Sequence, residues 1–227
     1  MTQTTLETSE TRQDALRVLI VDDHDLFRTG LRNLLEEQGI QIVGEAAAGA
    51  EAIRSVRELA PDVVVMDLNM PGMTGVEATR QITSIAPLTR VLVLTISDQD
   101  SDVLDAILAG ACGYILKDSS ISELMAGIRA ASVGESLISP TIASKVLQRV
   151  RSTSSVPAIA ETIRAELSDR EIEVLKLIAN GKDNANIAAE LHISPKTVKN
   201  HISNILMKLQ IDNRIQAAVY AVKSGIV

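Results

Sequence analysis

Five short apolar runs recur through the first half of the chain, and most of them are continuous rather than alternating. Continuous runs of β-favouring residues are typical of strands buried on both faces, as in a parallel sheet. We therefore predict five buried strands. Their sequences are RVLIV at 17–21, IQIVGEA at 40–46, DVVVM at 62–66, RVLVLT at 90–95 and GYILK at 113–117.

Segments with helical periodicity separate these runs. Between the first two, apolar residues recur at Phe27, Leu31 and Leu35 before a glycine stop. The alternation of strand and helix implies a parallel sheet with helices on both faces. The predicted fold class is therefore α/β, a flavodoxin-like (βα)5 domain over residues 17–134 with strand order 2-1-3-4-5. In such sheets, ligands bind beyond the carboxyl ends of the strands.

The last quarter of the chain predicts a different, all-helical unit over residues 164–227. SDREIEVLKLIANG offers Ser168 as an N-cap with Glu171 as its capping-box partner. NANIAAELH follows as a short helix, and SPKTVKNHISNILMKL begins with a cap and Pro195. NRIQAAVYAVKSG closes the chain. A short helix, a tight turn and a capped helix are typical of a helix-turn-helix.

The remaining segments predict little regular structure. Residues 1–16 read as a disordered tail without the apolar run of a signal peptide. Residues 135–163 form a Ser/Thr-containing linker in which PTIASKVLQRVR is a possible helix. No apolar stretch is long enough to cross a bilayer, so we expect a cytoplasmic protein without a membrane partner.

Composition narrows the functional classes. The 227 residues contain 46% hydrophobic but only 1% aromatic side chains, which argues against an aromatic platform for single-stranded nucleic acid. The lone Cys112 excludes an internal disulfide and reads as a small buried residue. The net charge of −7 comes from the first part of the chain, since residues 168–227 carry a slight excess of Lys and Arg.

Polar side chains stand at the ends of four predicted strands. Asp22 and Asp23 follow the first strand and Asp67 ends the third, so the predicted strand order brings three carboxylates to one edge. A divalent cation relieves their repulsion, and an all-oxygen site suits Mg2+, with the backbone carbonyl of Asn69 as a further ligand. Thr95 and Lys117 end the fourth and fifth strands.

This combination of acids, hydroxyl and ammonium suits phosphoryl transfer. Asp67 is the candidate nucleophile, because a carboxylate can attack a phosphoryl group and form an acyl phosphate. Lys117 and Thr95 would stabilise the phosphoryl oxygens. Taken one at a time, each residue has a plainer explanation as a helix cap, a strand end or a solvated lysine.

The same region resembles the receiver domains of two-component response regulators. The matching motifs are VDDH at 21–24, MDLNMPGMTG at 66–75, LT at 94–95 and GYILKD at 113–118. The resemblance implies that a sensor histidine kinase phosphorylates Asp67 and that Asp22 and Asp23 hold Mg2+. It also implies that Thr95 and Lys117 contact the phosphoryl group, with Tyr114 as an aromatic switch.

The third helix of the C-terminal unit has an apolar face and a polar face. Val198, Ile202 and Ile205 follow the helical spacing of a buried stripe, and donors suited to phosphates and base edges lie opposite. The segment LSDREIEVLKLIANGKDNANIAAELHISPKTVKNHISNILMKL is similar to the LuxR-type helix-turn-helix, and the whole chain resembles the NarL/FixJ family. That likeness implies contacts with double-stranded DNA from Asn184, Lys196, Thr197, Lys199, Asn200 and Ser203.

The last helix carries a second apolar stripe. Its residues could belong to the core of the helical unit, or they could form the dimer contact that the family likeness suggests. Both interpretations stay open at this stage. The stripe consists of Ile215, Ala218, Val219 and Val222.

These features predict a phosphorylation-activated transcription regulator rather than an enzyme. When active, it would bind a two-fold operator as a homodimer. One alternative is a DNA-binding protein whose receiver is only a phosphorylation-independent dimerisation scaffold. Another is a phosphatase that turns over Asp67, but such enzymes usually place a second acid two residues later, where this chain has Asn69.

Overall fold

The computed structural model describes residues 15–96, 100–136, 167–211 and 213–227. Its first part is an α/β domain built on a five-stranded sheet with the order β2-β1-β3-β4-β5, in which all strand pairs are parallel. The predicted fold class and strand order are confirmed. The strands are β1 (Arg17–Val21), β2 (Gln41–Ala46), β3 (Val63–Met66), β4 (Arg90–Thr95) and β5 (Gly113–Leu116).

Helices cover both faces of this sheet. The four residues of β3 are all buried, whereas β2 lies at the sheet edge and is mostly half-buried, in keeping with its less continuous apolar run. Two apolar clusters, one on each face, form the core. The helices are α1 (Asp25–Glu37), α2 (Gly49–Leu59), α3 (Gly75–Ile85), α4 (Asp100–Leu108) and α5 (Ile121–Ser132).

The second part is a helical domain around its own apolar cluster. Ser168 and Glu171 form the predicted capping box, and Ser194 caps the helix that Pro195 begins. The helices are α6 (Asp169–Ala179), α7 (Asn184–Leu191), α8 (Pro195–Leu209) and α9 (Arg214–Lys223). Most of the predicted tail and linker, including the possible helix PTIASKVLQRVR, lies outside the described residues.

The two domains touch where α9 packs against α4. Ile215 and Val219 of α9 belong to one apolar cluster with Val103 and Ile107 of α4. Two side-chain amides reinforce this contact, because Gln216 Nε2 donates to the Ile107 carbonyl at 3.0 Å and Asn213 Nδ2 to the Ala111 carbonyl at 3.0 Å. None of the helices in the described ranges combines the length and apolar character that a membrane span requires.

Candidate functional site

Two aspartates meet where β1 and β3 end side by side. Val21 pairs with Met66 in the sheet, and the amide of Asp67 donates to the Val21 carbonyl at 2.9 Å. The residues that follow these strands, Asp22 and Asp67, are each only 2% exposed. Asp23 comes next along the first loop and is partly exposed. Strand register therefore brings together the acids that the sequence places at separate strand ends.

Lys117 lies between the two buried carboxylates. Its Nζ is 2.6 Å from Asp22 Oδ2 and 2.9 Å from Asp67 Oδ2, and it lies 4.5 Å from the centre of the Phe27 ring. Burial alone would lower the pKa of Lys117, but its hydrogen bonds and charge interactions with Asp22 and Asp67 raise it above its ordinary value. Lys117 is therefore a permanent cation in contact with the candidate nucleophile.

One oxygen of Asp67 has no such partner. Asp67 Oδ1 is buried and accepts no hydrogen bond from the described residues. Asp23 Oδ1 is also buried, and the polar group next to it is His24 Nδ1 at 2.9 Å. A buried carboxylate oxygen without a partner is costly. Three carboxylates beside one ammonium also leave a surplus of negative charge. The oxygen-rich donor set therefore fits a divalent cation such as Mg2+, for which Asp22, Asp23 and Asp67 can supply ligands.

Thr95 ends β4 beside the acids. It is fully buried, and the side-chain amide of Asn69 donates to its Oγ1 at 3.3 Å. Tyr114 on β5 is also buried, and it belongs to the apolar cluster that joins α4 to α9. Thr95 therefore adjoins the acidic site, and Tyr114 adjoins the interdomain contact.

Gly75 fixes the loop that follows Asp67. Its amide donates to the Leu68 carbonyl at 3.0 Å, and a Cβ at this position would lie 2.0 Å from the Asp67 carbonyl oxygen. No residue other than glycine fits so close an approach of two backbones. This glycine lies in the receiver-like motif at 66–75, but the sequence pattern alone does not reveal the close backbone approach that requires it.

Arg28 is a further residue that the sequence analysis missed. Its guanidinium donates to the Asp22 backbone carbonyl at 2.6 Å, to Asp25 at 2.6 Å and to Glu45 of β2 at 2.9 Å. These bonds tie the acidic loop to the start of α1 and to the edge strand. In the sequence, Glu45 is only an acid near the end of an apolar run, and this pattern does not reveal that it pairs with Arg28.

The predicted DNA-contacting residues fall into two groups. Lys196 and Asn200 are exposed on α8, and Thr197 is partly exposed. Lys199 and Asn184 face the other domain, because Lys199 Nζ donates to the carbonyl of Val133 at 3.2 Å and Asn184 Nδ2 to Glu135 at 3.4 Å. Ser203 lines the cleft of about 240 Å³ between α8 and the end of the α/β domain.

The apolar stripe of α9 is covered in this arrangement. Ile215 and Val219 are buried in the interdomain cluster, and Val222 packs partly against it. Ala218 packs against the core of the helical domain instead. Two of the four predicted dimer-contact residues, Ile215 and Val219, are therefore buried in the contact with the α/β domain.

Comparison with known proteins assigns each half of the chain to a family. Residues 18–129 match the response regulator receiver domain, and residues 165–221 match the bacterial regulatory proteins of the luxR family. Among curated proteins, the chain is 46% identical over 213 residues to the transcriptional regulatory protein LiaR of Bacillus subtilis, covering 93% of this chain and 99% of that one. It is 41% identical to the response regulator protein VraR of Staphylococcus aureus, with the same coverage.

Solved structures agree with this assignment. The response regulator ChrA of a heme-sensing two-component system matches with a TM-score of 0.51 and 37% identity, covering 94% of this chain and 99% of that chain. A structure of two RcsB dimers bound to two parallel DNAs matches with a TM-score of 0.54 and 25% identity, covering 91% and 98%. A receiver joined to a luxR-type domain defines a response regulator, the transcription-regulating component of a two-component system. The chain belongs to the NarL/FixJ family of these regulators.

Proposed function

We propose that a sensor histidine kinase phosphorylates this regulator on Asp67, and that the acyl phosphate controls dimerisation and operator binding. The carboxylate of Asp67 carries this proposal. It is buried at a strand end, contacts Lys117 through Oδ2, and leaves Oδ1 without a hydrogen bond in the described part of the chain. A purely structural buried acid would be expected to satisfy both oxygens.

In the proposed reaction, a carboxylate oxygen of Asp67 attacks the phosphorus of a phosphohistidine. The O–P bond forms as the P–N bond breaks, and the electron pair returns to the imidazole nitrogen, which takes up a proton. Lys117 already lies 2.9 Å from the carboxylate, so its ammonium is positioned to stabilise the charge on a phosphoryl oxygen. The hydroxyl of Thr95 is the second donor proposed for that group.

Asp22, Asp23, Asp67 and the backbone carbonyl of Asn69 are the proposed ligands of Mg2+. When bound, the cation would neutralise oxygen charge on the transferring group. The chain's own contribution is to hold the acids together, which it does through the register of β1 and β3 and through Arg28 on the Asp22 carbonyl.

The contact between α4 and α9 supports a closed inactive state. It covers Ile215 and Val219 of the proposed dimer stripe. In addition, Lys199 and Asn184 of the helical domain are hydrogen-bonded to residues just beyond α5. We infer that the unphosphorylated receiver masks both the dimer stripe and part of the recognition helix α8.

The route from Asp67 to this contact is short. Asn69 follows the acid and bonds to Thr95, and Tyr114 on the neighbouring strand packs in the same cluster as Ile215. A phosphoryl group that displaces the Thr95 hydroxyl would therefore disturb packing on which α9 depends. The closed state loses contacts, which shifts the equilibrium towards an open, DNA-binding dimer.

In the open state, the proposed DNA contacts are those of α8 together with Asn184 on α7. The structural relative RcsB is seen as dimers on DNA, which supports the same arrangement for this chain. Lys199, Asn200 and Ser203 are the proposed base-reading residues, and Asn184, Lys196 and Thr197 the proposed phosphate contacts.

Intact-mass measurement tests the proposal. The full chain is incubated with Mg2+ and a small phosphodonor such as phosphoramidate, beside the Asp67→Asn variant. A gain of one phosphoryl group in the wild type only is expected. If neither protein gains mass while the untreated protein binds DNA, the receiver acts as a phosphorylation-independent scaffold and the proposal is wrong.

A further inference from the structure

His24 stands at the rim of the acidic site, immediately after Asp22 and Asp23. It occupies the N-cap position of α1, but its side chain makes no capping hydrogen bond. Its backbone amide donates instead to Asp22 Oδ1 at 2.9 Å. The helix start therefore fixes the backbone of His24 and leaves the imidazole available for another role.

The imidazole faces the acids. His24 Nδ1 lies 2.9 Å from Asp23 Oδ1 and 3.3 Å from Asp22 Oδ1. Asp23 Oδ1 is buried and accepts no hydrogen bond from the other described residues, so the imidazole is the polar group placed against it. The buried Oδ1 of Asp67 also accepts none.

These separations match the edges of a coordination polyhedron. Adjacent ligands of an octahedral cation with bonds of about 2.1 Å are roughly 3 Å apart. One donor atom from each of His24, Asp22, Asp23 and Asp67 lies within 4.8 Å of the others, so small side-chain movements can bring all four to one centre. The imidazole is 64% exposed, which leaves an entry path for a cation.

We propose that His24 supplies a nitrogen ligand to the divalent cation of the receiver site. The inference goes beyond the proposed function but depends on its metal site, which was assigned oxygen ligands only. A nitrogen ligand changes which metal ion the site prefers. Imidazole favours Co2+ and other borderline metals, whereas carboxylate and carbonyl oxygens suit Mg2+. The regulator would therefore bind Co2+ in preference to Mg2+ through a residue outside the oxygen set.

Affinity measurements on the full chain without phosphodonor test this selectivity. Calorimetric titrations with Mg2+ and Co2+ compare the wild type with His24→Ala and with His192→Asn, a matched loss of an exposed histidine at the end of α7. His24→Ala is expected to weaken Co2+ binding by about tenfold or more and Mg2+ binding by less than about threefold. His192→Asn is expected to change neither.

A spectroscopic measurement reports the bond itself. Pulsed electron paramagnetic resonance of bound Mn2+ should detect a directly coordinated nitrogen in the wild type and in His192→Asn, but not in His24→Ala. Absence of nitrogen coupling in the wild type, or an unchanged Co2+-to-Mg2+ affinity ratio in His24→Ala, would overturn the proposal. If Asp67 still accepts a phosphoryl group in that case, the proposed function stands and only the role of His24 is wrong.

Discussion

One substitution at the interdomain contact should weaken that contact without unfolding either domain. Asn213 is 5% exposed and does two things at once. Its Oδ1 accepts from the amides of Ile215 and Gln216 at the start of α9, and its Nδ2 donates to the Ala111 carbonyl of the receiver. Asn213→Asp keeps the capping acceptor, replaces the interdomain donor with an acceptor and adds a negative charge.

The expected cost falls on the closed state. The variant loses one net hydrogen bond, about 1 kcal/mol, and buries a carboxylate against a carbonyl without a partner, about 1–3 kcal/mol more. In an open state the carboxylate is solvated and caps α9 as well as asparagine does. A total of about 2–4 kcal/mol corresponds to a shift of about 30- to 700-fold from closed to open.

Hydrogen exchange followed by mass spectrometry measures this shift. Without phosphodonor, peptides from α4 and α9 should exchange faster in Asn213→Asp, and affinity for double-stranded DNA at fixed salt should rise because Lys199 and Asn184 are released. Asn33→Asp is the matched control, since it makes the same chemical change at an exposed position of α1. Unchanged protection of α4 and α9 in a folded Asn213→Asp variant would refute the closed-state reasoning.

Three further predictions follow from single contacts. Gly75→Ala places a Cβ 2.0 Å from the Asp67 carbonyl oxygen. The rate at which the chain gains a phosphoryl group from a small donor, measured by intact mass, should therefore fall by about tenfold or more. A normal rate would count against this role for Gly75. Burial raises the pKa of Cys112 to about 12, so iodoacetamide at pH 8 should alkylate it only after unfolding; rapid labelling of the native protein would contradict its buried position. Burial alone would raise the pKa of Glu171, but Lys208 and Ser168 lower it below 4.5, so its stabilisation is present above that value and is lost as pH falls through the lowered pKa. Glu171→Gln should therefore cost about 1–3 kcal/mol near pH 7 and progressively less towards pH 3 in thermal unfolding, whereas a constant gap would contradict the assignment.

The sequence predicts the site because strand ends are local features. The apolar runs end at Asp22, Asp67 and Thr95 in the structure as in the sequence, and the parallel alternation brings those ends to one edge. The helix caps Ser168 and Ser194 could be predicted for the same reason, because each serine side chain accepts a hydrogen bond from a backbone amide in the first turn of its own helix.

The interdomain contact could not be predicted in this way. Asn213 and Gln216 bond to backbone carbonyls 102 and 109 residues away, and a carbonyl carries no sequence signal. The stripe of α9 was equally ambiguous, because apolar spacing indicates a buried face without indicating what covers it. Arg28 was missed because its partner Glu45 lies on a different strand and the pairing depends on the fold.

The most direct test of the account joins the acidic site to the interdomain contact. Hydrogen exchange of α4 and α9 is measured in the wild type and in Asp67→Asn, before and after treatment with Mg2+ and phosphoramidate. The account predicts that treatment adds one phosphoryl group to the wild type and accelerates exchange in both helices, while Asp67→Asn changes in neither respect. Full phosphorylation of Asp67 with unchanged protection of α4 and α9 would contradict the claim that the acyl phosphate opens the regulator.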